Sequence, residues 1–364
     1  MSDMHKNKII FFFGTKAQFI KSYCLLKELN NQGVQIKIIN TCQHIETTSN
    51  QIKNLSFGFE YKKLSNNLKD IGTVGEMLSW FFKCVLTIFS DKRNKEKAKY
   101  CILHGDTAST LLGIIWAKSK GLKIIHLESG WRSGKILKPF PEEIIRQVSE
   151  KFSNILVPDG TVQLENLKSL DGKKEILFVE NNTLYDAILE NVQKIDAINH
   201  NLVVTIHRSE NLFYSKNLKL LVDYLISLKN QGTFAEIDWY CHEPTYNTLK
   251  KKEFISKLLL AKVNVRKLIK YEEFIHEISV AKAVLTDGGG VAKEASLLNV
   301  PLVIWREEID TDHQYIKNIR VYVSNYNTKE SNKFFEGVDF NEKRKIKNFE
   351  SPSKILADLI KNKH

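Results

Sequence analysis

The chain has 364 residues, of which 43% are hydrophobic and 26% charged, with 17 glycines and 6 prolines. This length corresponds to two or three domains, and the composition excludes collagen-like and proline- and glycine-rich disordered proteins. The 54 basic and 42 acidic residues give a net charge of +12, which suits anionic partners such as nucleotides. The lysine-rich runs lack interleaved aromatic side chains, so we expect no nucleic-acid partner.

Cysteine usage and hydropathy indicate a cytoplasmic protein. The five cysteines are odd in number and far apart, with no CxxC pair, so neither a disulfide framework nor a metal cluster is predicted. The most hydrophobic stretch, residues 77–89, has Lys83 in its middle and is too short for a bilayer that needs about 20 apolar residues. We therefore expect no stable membrane insertion and interpret this stretch as a core or interface helix.

Short runs of Ile, Val and Phe alternate with helical patterns in two successive series. The first series has predicted strands at 9–13, 35–40, 100–103, 123–127, 154–158 and 176–179, helices at 17–30, 107–120 and 142–151, and polar helical sequence after residue 40. The second has strands at 202–206, 236–240, 262–265, 283–286, 301–305 and 321–323. Nearly continuous apolar strands are typical of parallel sheets buried on both faces. The pattern predicts an α/β fold with two doubly wound domains that join between residues 180 and 200.

Ligands of such sheets bind outside the carboxyl ends of the strands, so the residues just after each predicted strand are candidates. Gly14, Lys16 and Lys21 follow the first strand at a helix start, where backbone N–H groups and positive charge suit a phosphate; Gly14 could also be a simple turn. Asp106 follows a central strand, and its position fits a helix N-cap as well as a catalytic acid or base.

Two further acids follow in the same half. Glu128 ends the next strand, and Glu142 stands at a predicted helix start, four residues before Arg146. Glu142 and Arg146 share one helix face, so an ordinary surface pair is the alternative interpretation. Several acids at neighbouring strand ends favour a catalytic group, because a buried carboxyl among others can serve as an acid at neutral pH.

The second half offers groups that suit a diphosphate. His207 and Arg208 end one strand, and His242 follows the next; imidazole and guanidinium both bind phosphate oxygens. A triple glycine precedes a helix that carries Glu294, and it would let the backbone approach a ligand closely. The alternative there is a flexible loop with a surface glutamate. The three glycines are Gly288, Gly289 and Gly290.

The combined order of these motifs resembles the UDP-N-acetylglucosamine 2-epimerase family in its non-hydrolysing bacterial branch. The matching segments are GTKAQFIK, NTCQH, HGDT, HLESGWRSG, PFPEEIIRQ, NNTLYDA, TIHRSEN, TDGGGVAKEA and NVPLVIWRE. The resemblance implies a GT-B arrangement of two Rossmann-like domains with a UDP-sugar in the cleft between them. The first domain would be residues 1–180, joined by a C-terminal helix at 352–364, and the second would be residues 181–351. A homodimer through the first domain is also implied.

The implied reaction inverts C2 of the sugar by elimination and re-addition of UDP, without NAD or another cofactor. The resemblance also implies a role for each candidate residue. Asp106, Glu128 and Glu142 would act as acids and bases, and His207 would assist the leaving group. Lys16, Gly288, Gly289 and Gly290 would contact the phosphates, Glu294 would bind the ribose, and Lys21 and Arg146 would balance the charge of the site. Gln43, Arg208 and His242 would form a second, activating nucleotide-sugar site.

This sequence departs from the family pattern at several nucleotide contacts. Lys16 stands where an arginine is usual, and lysine is a point charge without a bidentate fork. Gly288 replaces a serine, and Ala292 and Lys293 replace a Gln-Glu pair. Two other classes therefore stay open. One is a glycosyltransferase or hydrolysing epimerase, for which the apolar helix would meet a lipid-linked acceptor, and the other is a UDP-sugar-binding protein without turnover.

Overall fold

The computed structural model describes residues 8–44, 52, 55–67, 71, 74–91, 96–134, 141–192, 197–212, 214–307, 320–340, 344 and 349–363. The chain divides into two compact units. Unit 1 holds the described residues of Met1–Ala187 and Phe349–His364, and unit 2 holds those of Ile188–Ile309 and His313–Asn348. The C-terminal segment thus belongs to the unit that contains the N-terminus.

Unit 1 is built on seven parallel strands. The strands are β1 (Lys8–Phe13), β2 (Gln35–Asn40), β3 (Phe59–Lys63), β4 (Tyr100–His104), β5 (Lys123–Leu127), β6 (Ile155–Val157) and β7 (Glu175–Ile176). The helices are α1 (Lys16–Asn31), α2 (Val74–Ser90), α3 (Ala108–Ser119), α4 (Glu142–Phe152), α5 (Thr161–Asn166), a 3₁₀ turn (Lys168–Leu170), α6 (Leu184–Asn191), whose last residues enter unit 2, and α14 (Pro352–Lys361). The strand order is β3-β2-β1-β4-β5-β6-β7.

Unit 2 has six parallel strands in the order β10-β9-β8-β11-β12-β13. The strands are β8 (Asn201–Thr205), β9 (Glu236–Cys241), β10 (Asn264–Lys267), β11 (Ala283–Thr286), β12 (Leu302–Ile304) and β13 (Val321–Val323). The helices are α7 (Ser209–Leu212), α8 (Ser215–Asn230), α9 (Glu243–Lys251), α10 (Phe254–Leu260), α11 (Tyr271–Val280), α12 (Gly289–Leu297) and α13 (Thr328–Gly337). Each unit is thus a doubly wound, Rossmann-like sheet.

The central strands are buried on both faces because their side chains are apolar at almost every position. In β1 every residue after Lys8 is fully buried, and β1 pairs with β4 in parallel register. In unit 1 the strand order reverses between β1 and β4, and in unit 2 between β8 and β11. The carboxyl ends of strands beside such a reversal form the crevice in which open α/β sheets bind ligands.

The expectation of helical sequence after residue 40 is wrong at Phe59–Lys63, which is the edge strand β3, paired with β2. Its side chains are exposed or half-buried, so the apolar run that marks a buried strand is missing. Strand β10 begins two residues later than predicted, and β7 is confined to Glu175–Ile176. Both lie at sheet edges, where one neighbour strand is absent and the apolar signal is weak.

Helix α2 contains the hydrophobic stretch 77–89. One face of the helix is buried in unit 1 through Trp80, Cys84 and Ile88. The opposite face exposes four large apolar side chains, Leu78, Phe82, Leu86 and Phe89. The helix therefore packs on the core with one stripe and presents a second apolar stripe to solvent.

Candidate active site

The turn after β1 is fixed by a capping box at the start of α1. Thr15 and Gln18 cap the helix reciprocally, and the Gln18 amide donates to the His104 carbonyl oxygen at the end of β4, at 2.7 Å. A Cβ on Gly14 would lie 1.9 Å from Thr41 Oγ1 and 2.1 Å from the Ser109 hydroxyl oxygen. Glycine is therefore required at this position by close packing, in addition to forming the turn.

Lys21, on the second turn of α1, forms an ion pair with Glu128. Its Nζ lies 2.7 Å from Glu128 Oε1 and 2.8 Å from Oε2. Burial works against the charge of Lys21, but the Glu128 carboxylate, with smaller contributions from Asp106 and Asp159, raises the pKa of this lysine overall. Lys21 is therefore a fixed positive charge among acids.

Glu128 itself has a left-handed backbone, with a φ of 59°. Such a conformation costs a non-glycine residue about 1–3 kcal/mol and persists where the surroundings impose it, often at functional sites. Here the neighbouring backbone is held by Ser129, whose N–H donates to the Val157 carbonyl oxygen and whose hydroxyl donates to the His126 carbonyl oxygen. The turn directs the Glu128 carboxylate toward Lys21.

Asp106, after β4, forms another ion pair of unit 1 with a helix residue. Arg146, on α4, donates from Nε to Asp106 Oδ2 at 2.7 Å and from Nη1 to Glu143 Oε2 at 3.2 Å. Burial opposes the charge of Arg146, but Asp106 and Glu143 raise its pKa. The N-cap of α3 is Thr107, so the structure does not use Asp106 as the helix cap that local sequence left open.

The two adjacent glutamates at the start of α4 differ in their surroundings. Glu143 is 2% exposed and accepts from the backbone N–H and hydroxyl of Ser133 as well as from Arg146. Glu142 Oε2 is buried and has no hydrogen-bond partner among the residues that the structure describes. Glu143 thus has a structural role, whereas Glu142 keeps an oxygen available. The residues just before Pro141 lie outside the described part of the chain.

In unit 2, the Asp287 carboxylate accepts several hydrogen bonds from residues that follow β8. Its side chain accepts from the backbone N–H groups of His207 and Arg208, both at 3.0 Å, and from Asn211 Nδ2 at 2.8 Å. His207 Nδ1 lies 3.1 Å from Asp287 Oδ1. Burial opposes the charge of Asp287, but these hydrogen bonds lower its pKa. The contact orients the imidazole, whose side chain is 43% exposed, so that Nε2 is left for a ligand.

The triple glycine forms the N-cap and first turn of α12, so the flexible-loop interpretation is wrong. Gly288 is the N-cap, and its N–H donates to the Thr286 hydroxyl at 3.0 Å, while Gly289 and Gly290 open the helix. A Cβ on Gly288 would lie 2.5 Å from His207 Cε1. Glycine at 288 thus leaves room for the imidazole to lie over the start of α12. Glu294 on α12 is buried and is not a surface residue.

The remaining predicted residues fall on both units. Lys16 is the first residue of α1. Gln43 is buried in unit 1 and accepts from the Ser109 hydroxyl at 2.7 Å. In unit 2, the His242 ring lies 5.7 Å from that of His207, and Arg208 Nη1 lies 3.8 Å from Glu210 Oε1. Their assignment to an activating site stays a prediction.

Sequence reasoning misses several residues that hold the site. Asp287 stands beside the glycines, which carry the stronger sequence signal. His104 is buried at the end of β4, with Nδ1 2.7 Å from the Ser22 hydroxyl and Nε2 3.3 Å from Glu128 Oε2, without hydrogen-bond geometry. Asn182 contacts Glu128 from a segment 54 residues away. Asp287 and His104 could have been found from the sequence, because each is a polar residue at the end of a run of apolar strand residues. Asn182 follows no such run, so the sequence carries no comparable signal for it.

The described residues hold neither a membrane span nor a metal cluster. None of the helices there is both long and apolar enough to cross a membrane. No group of three or more His, Cys, Asp or Glu side chains among the same residues could hold a metal ion.

Comparisons of this chain with known proteins all point to one enzyme family. A model of the UDP-N-acetylglucosamine 2-epimerase family matches residues 27–345. A UDP-N-acetylglucosamine 2-epimerase homolog of Methanococcus maripaludis is 31% identical over 325 residues, which cover 83% of this chain and 85% of the relative. The UDP-N-acetylglucosamine 2-epimerase of Methanocaldococcus jannaschii is 28% identical over 329 residues, covering 83% and 84%.

The fold is shared with solved structures. The crystal structure of Methanocaldococcus jannaschii UDP-GlcNAc 2-epimerase in complex with UDP-GlcNAc and UDP matches with a TM-score of 0.80 and 23% identity, covering 98% of this chain and 99% of that one. This match confirms the expected fold class, an α/β protein of two Rossmann-like domains of the GT-B type.

Proposed function

Since this chain belongs to the UDP-N-acetylglucosamine 2-epimerase family, we propose that it is a non-hydrolysing isomerase that inverts C2 of a UDP-N-acetylhexosamine. The substrate pair is UDP-GlcNAc and UDP-ManNAc or a related UDP-HexNAc pair, made for a surface polysaccharide. The two sites at the strand-order reversals fit the two demands of this chemistry, which are proton transfer at carbon and departure of a diphosphate.

The observation that carries the proposal is the arrangement around Lys21. Its partly buried ammonium is bound by both oxygens of Glu128 and lies within electrostatic range of Asp106. Acids that are held by partly buried cations beside a strand-order reversal are placed for proton transfer to and from a bound ligand. A purely structural ion pair would not need a strained backbone at Glu128.

The reaction follows from these groups. A carboxylate of unit 1 removes the proton from C2, and the electron pair of the C2–H bond forms a C1=C2 double bond. The C1–O bond breaks, and its electron pair leaves with UDP. Re-addition returns UDP to C1 and a proton to the opposite face of C2. We assign these proton transfers to Asp106, Glu128 and Glu142, the last because its Oε2 is buried without a partner among the described residues.

Unit 2 supplies the groups for UDP in this proposal. His207, oriented by Asp287, offers Nε2 to the departing diphosphate. The N-terminal turn of α12 offers the N–H groups of Gly289 and Gly290, while Gly288, whose own N–H donates to the Thr286 hydroxyl, lets the phosphates approach the backbone closely. Arg208 adds positive charge for phosphate, and Glu294 accepts from the ribose hydroxyls. Lys16, on α1 of unit 1, adds a further positive charge for phosphate. These donors compensate the charge that develops on the leaving group.

Incubation of the purified protein with UDP-GlcNAc in heavy water tests the proposal. We expect NMR to show deuterium at C2 and the appearance of UDP-ManNAc. Asp106→Asn is expected to abolish the exchange, whereas Asp171→Asn, which changes an exposed acid of unit 1, should not.

Other products would overturn the proposal in distinct ways. A folded protein that exchanges no C2 hydrogen in any of a panel of UDP-HexNAc sugars would exclude epimerisation. Free ManNAc together with UDP would identify a hydrolysing enzyme, and transfer to an acceptor without C2 exchange would identify a glycosyltransferase.

We also propose that the chain forms a homodimer through the exposed stripe of α2, because four large apolar side chains there lie in solvent. Phe82→Lys and Leu86→Lys should convert a dimer to a monomer in light scattering at micromolar concentration, and a wild-type monomer would refute this.

A cytoplasmic location is proposed because all five cysteines are free and buried.

A further inference from the structure

Asn182 joins two carboxylates of unit 1 through one side-chain amide. Its Nδ2 lies 2.5 Å from Glu128 Oε1 and 2.6 Å from Asp159 Oδ2. An amide nitrogen carries two hydrogens, so each carboxylate receives one. Asn182 is only 5% exposed.

The orientation of this amide is fixed from the backbone side. Asn182 Oδ1 accepts from the Leu184 N–H at 2.8 Å, at the start of α6. The next residue, Thr183, donates from its hydroxyl to the carbonyl oxygen of Lys21 on α1. The segment that carries Asn182 is therefore anchored to the same helix residue whose side chain binds Glu128.

Asp159 is held in turn by the indole of Trp131, whose Nε1 donates to Asp159 Oδ1 at 2.8 Å. The chain of contacts from Trp131 through Asp159 and Asn182 ends at Glu128. Two carboxylates near one another repel, and donors placed on both reduce that cost. The arrangement fixes where one oxygen of Glu128 lies.

A purely structural role for Asn182 would need only part of these contacts. Capping the start of α6 requires the side-chain oxygen, which aspartate also provides. The two N–H groups face carboxylates and contribute nothing to that cap. The nitrogen and the oxygen of this side chain thus have separable roles, and a single isosteric substitution distinguishes them.

We propose that Asn182 is a positioning residue for Glu128, with Asp159 and Trp131 holding its amide in place. It directs Glu128 Oε1 and stabilises the carboxylate form that accepts a proton from C2. This inference rests on the proposed function, in which Glu128 takes part in proton transfer at that carbon.

The test compares Asn182→Asp with Trp131→Phe and the wild-type protein in the C2 exchange assay across pH. Asn182→Asp keeps the cap, removes both donors and adds a negative charge beside Glu128. We expect kcat to fall about tenfold to hundredfold, part of the roughly 10²–10⁴-fold that acid–base catalysis contributes, with KM little changed. The acid limb of the pH profile should move to higher pH. Trp131→Phe should cause a smaller change in the same direction.

Asn166→Ala is the matched control, because it removes another side-chain amide of unit 1, one that donates to the Gly130 carbonyl oxygen at 2.8 Å. It should keep the wild-type pH profile. Retained UDP affinity and melting temperature establish that each variant is folded. A folded Asn182→Asp protein with the wild-type kcat and acid limb would overturn the proposal, as would a loss of kcat with no shift of the limb.

A second readout separates this inference from the proposed function. In protein labelled with ¹³C at the glutamate carboxyl, the Glu128 signal, assigned by its disappearance in Glu128→Gln, should titrate at higher pH in Asn182→Asp than in the wild type. Absence of C2 exchange in the wild type would refute the proposed function, and an unchanged titration would refute the role of Asn182.

Discussion

The two strand-order reversals of this molecule present different chemistry on the same topology. In unit 1, acids stand at the strand ends and are matched by cations from helices, as in the pairs of Lys21 with Glu128 and Arg146 with Asp106. In unit 2, one buried acid, Asp287, is covered by N–H donors and leaves His207 toward solvent. The first arrangement suits proton transfer at carbon, and the second suits binding of an anion that departs.

The difference originates in the backbone at the end of each strand. Asp106 and Glu128 are placed by turns with positive φ, at Gly105 and at Glu128 itself. In unit 2 the residues after β11 enter α12 directly through Gly288, the N-cap, whose φ is −91°. A tight turn exposes a side chain, whereas a direct strand-to-helix passage exposes backbone N–H groups.

The largest expected effect on activity comes from substituting one side chain in each unit, Glu128 in unit 1 and His207 in unit 2. Glu128→Gln should lower the rate of C2 exchange by about 10²–10⁴-fold, the range of general acid–base catalysis, with UDP affinity retained. His207→Asn should weaken UDP binding and slow exchange less. Deuterium exchange by NMR and calorimetric titration with UDP measure the two quantities.

Glu165→Gln is the control for that comparison, because Glu165 is an exposed acid of α5. It should behave like the wild type in both assays. If Glu128→Gln lost UDP affinity while His207→Asn kept it, the assignment of the two units would have to be reversed. Melting temperatures show whether removal of a partner of Lys21 has unfolded unit 1.

A smaller effect is expected from two glycines that each lie between a strand and the helix that follows it, Gly14 in unit 1 and Gly288 in unit 2. Gly14→Ala places a Cβ against two hydroxyls and 2.9 Å from Ser109 Cβ, which cannot rotate away, so it should lower the free energy of unfolding by about 1–3 kcal/mol. Gly288→Ala meets the far end of a side chain, His207, and should lose less stability but more activity. Urea unfolding and the exchange assay measure both, and equal losses of stability would contradict the difference in packing.

The smallest expected effect is a pH dependence of stability from unit 1. Burial lowers the pKa of His126, whose Nε2 donates to the Gly105 carbonyl oxygen at 2.9 Å. Below the ordinary value of about 6.5 the unfolded chain binds a proton that the folded chain does not, so stability falls as pH decreases, by at most about 1.4 kcal/mol per pH unit. His126→Gln should reduce this slope in urea unfolding between about pH 7.5 and 5.

His200→Gln, which changes an exposed histidine of unit 2, is the matched control for the pH experiment and should keep the wild-type slope. A slope that is unchanged in His126→Gln would assign the pH dependence to other groups. The experiment therefore tests whether the buried imidazole of His126 on β5 contributes to the acid sensitivity of the protein.

Much of the architecture was predictable because buried parallel strands need apolar side chains on both faces. The runs at β1, β4 and β11 were unmistakable for that reason. Strand β3 was not predictable, since an edge strand with exposed side chains carries no such run. Likewise, the acids after β4 and β5 were predictable as polar residues after apolar strands. The family resemblance named Lys21 and Arg146 as balancing charges, but no sequence pattern showed that Lys21 pairs with Glu128 and Arg146 with Asp106.

The sequence by itself determined the alternation of strands and helices, the positions of the acids and glycines at strand ends, and the family resemblance that the comparisons confirmed. Only the tertiary structure decided which of Glu142 and Glu143 keeps a buried oxygen without a partner among the described residues, and that Asn182 reaches Glu128. The physical reason is that apolar periodicity is a local property of the chain. A hydrogen bond between residues 54 positions apart depends on how helices and strands pack, which no local pattern records.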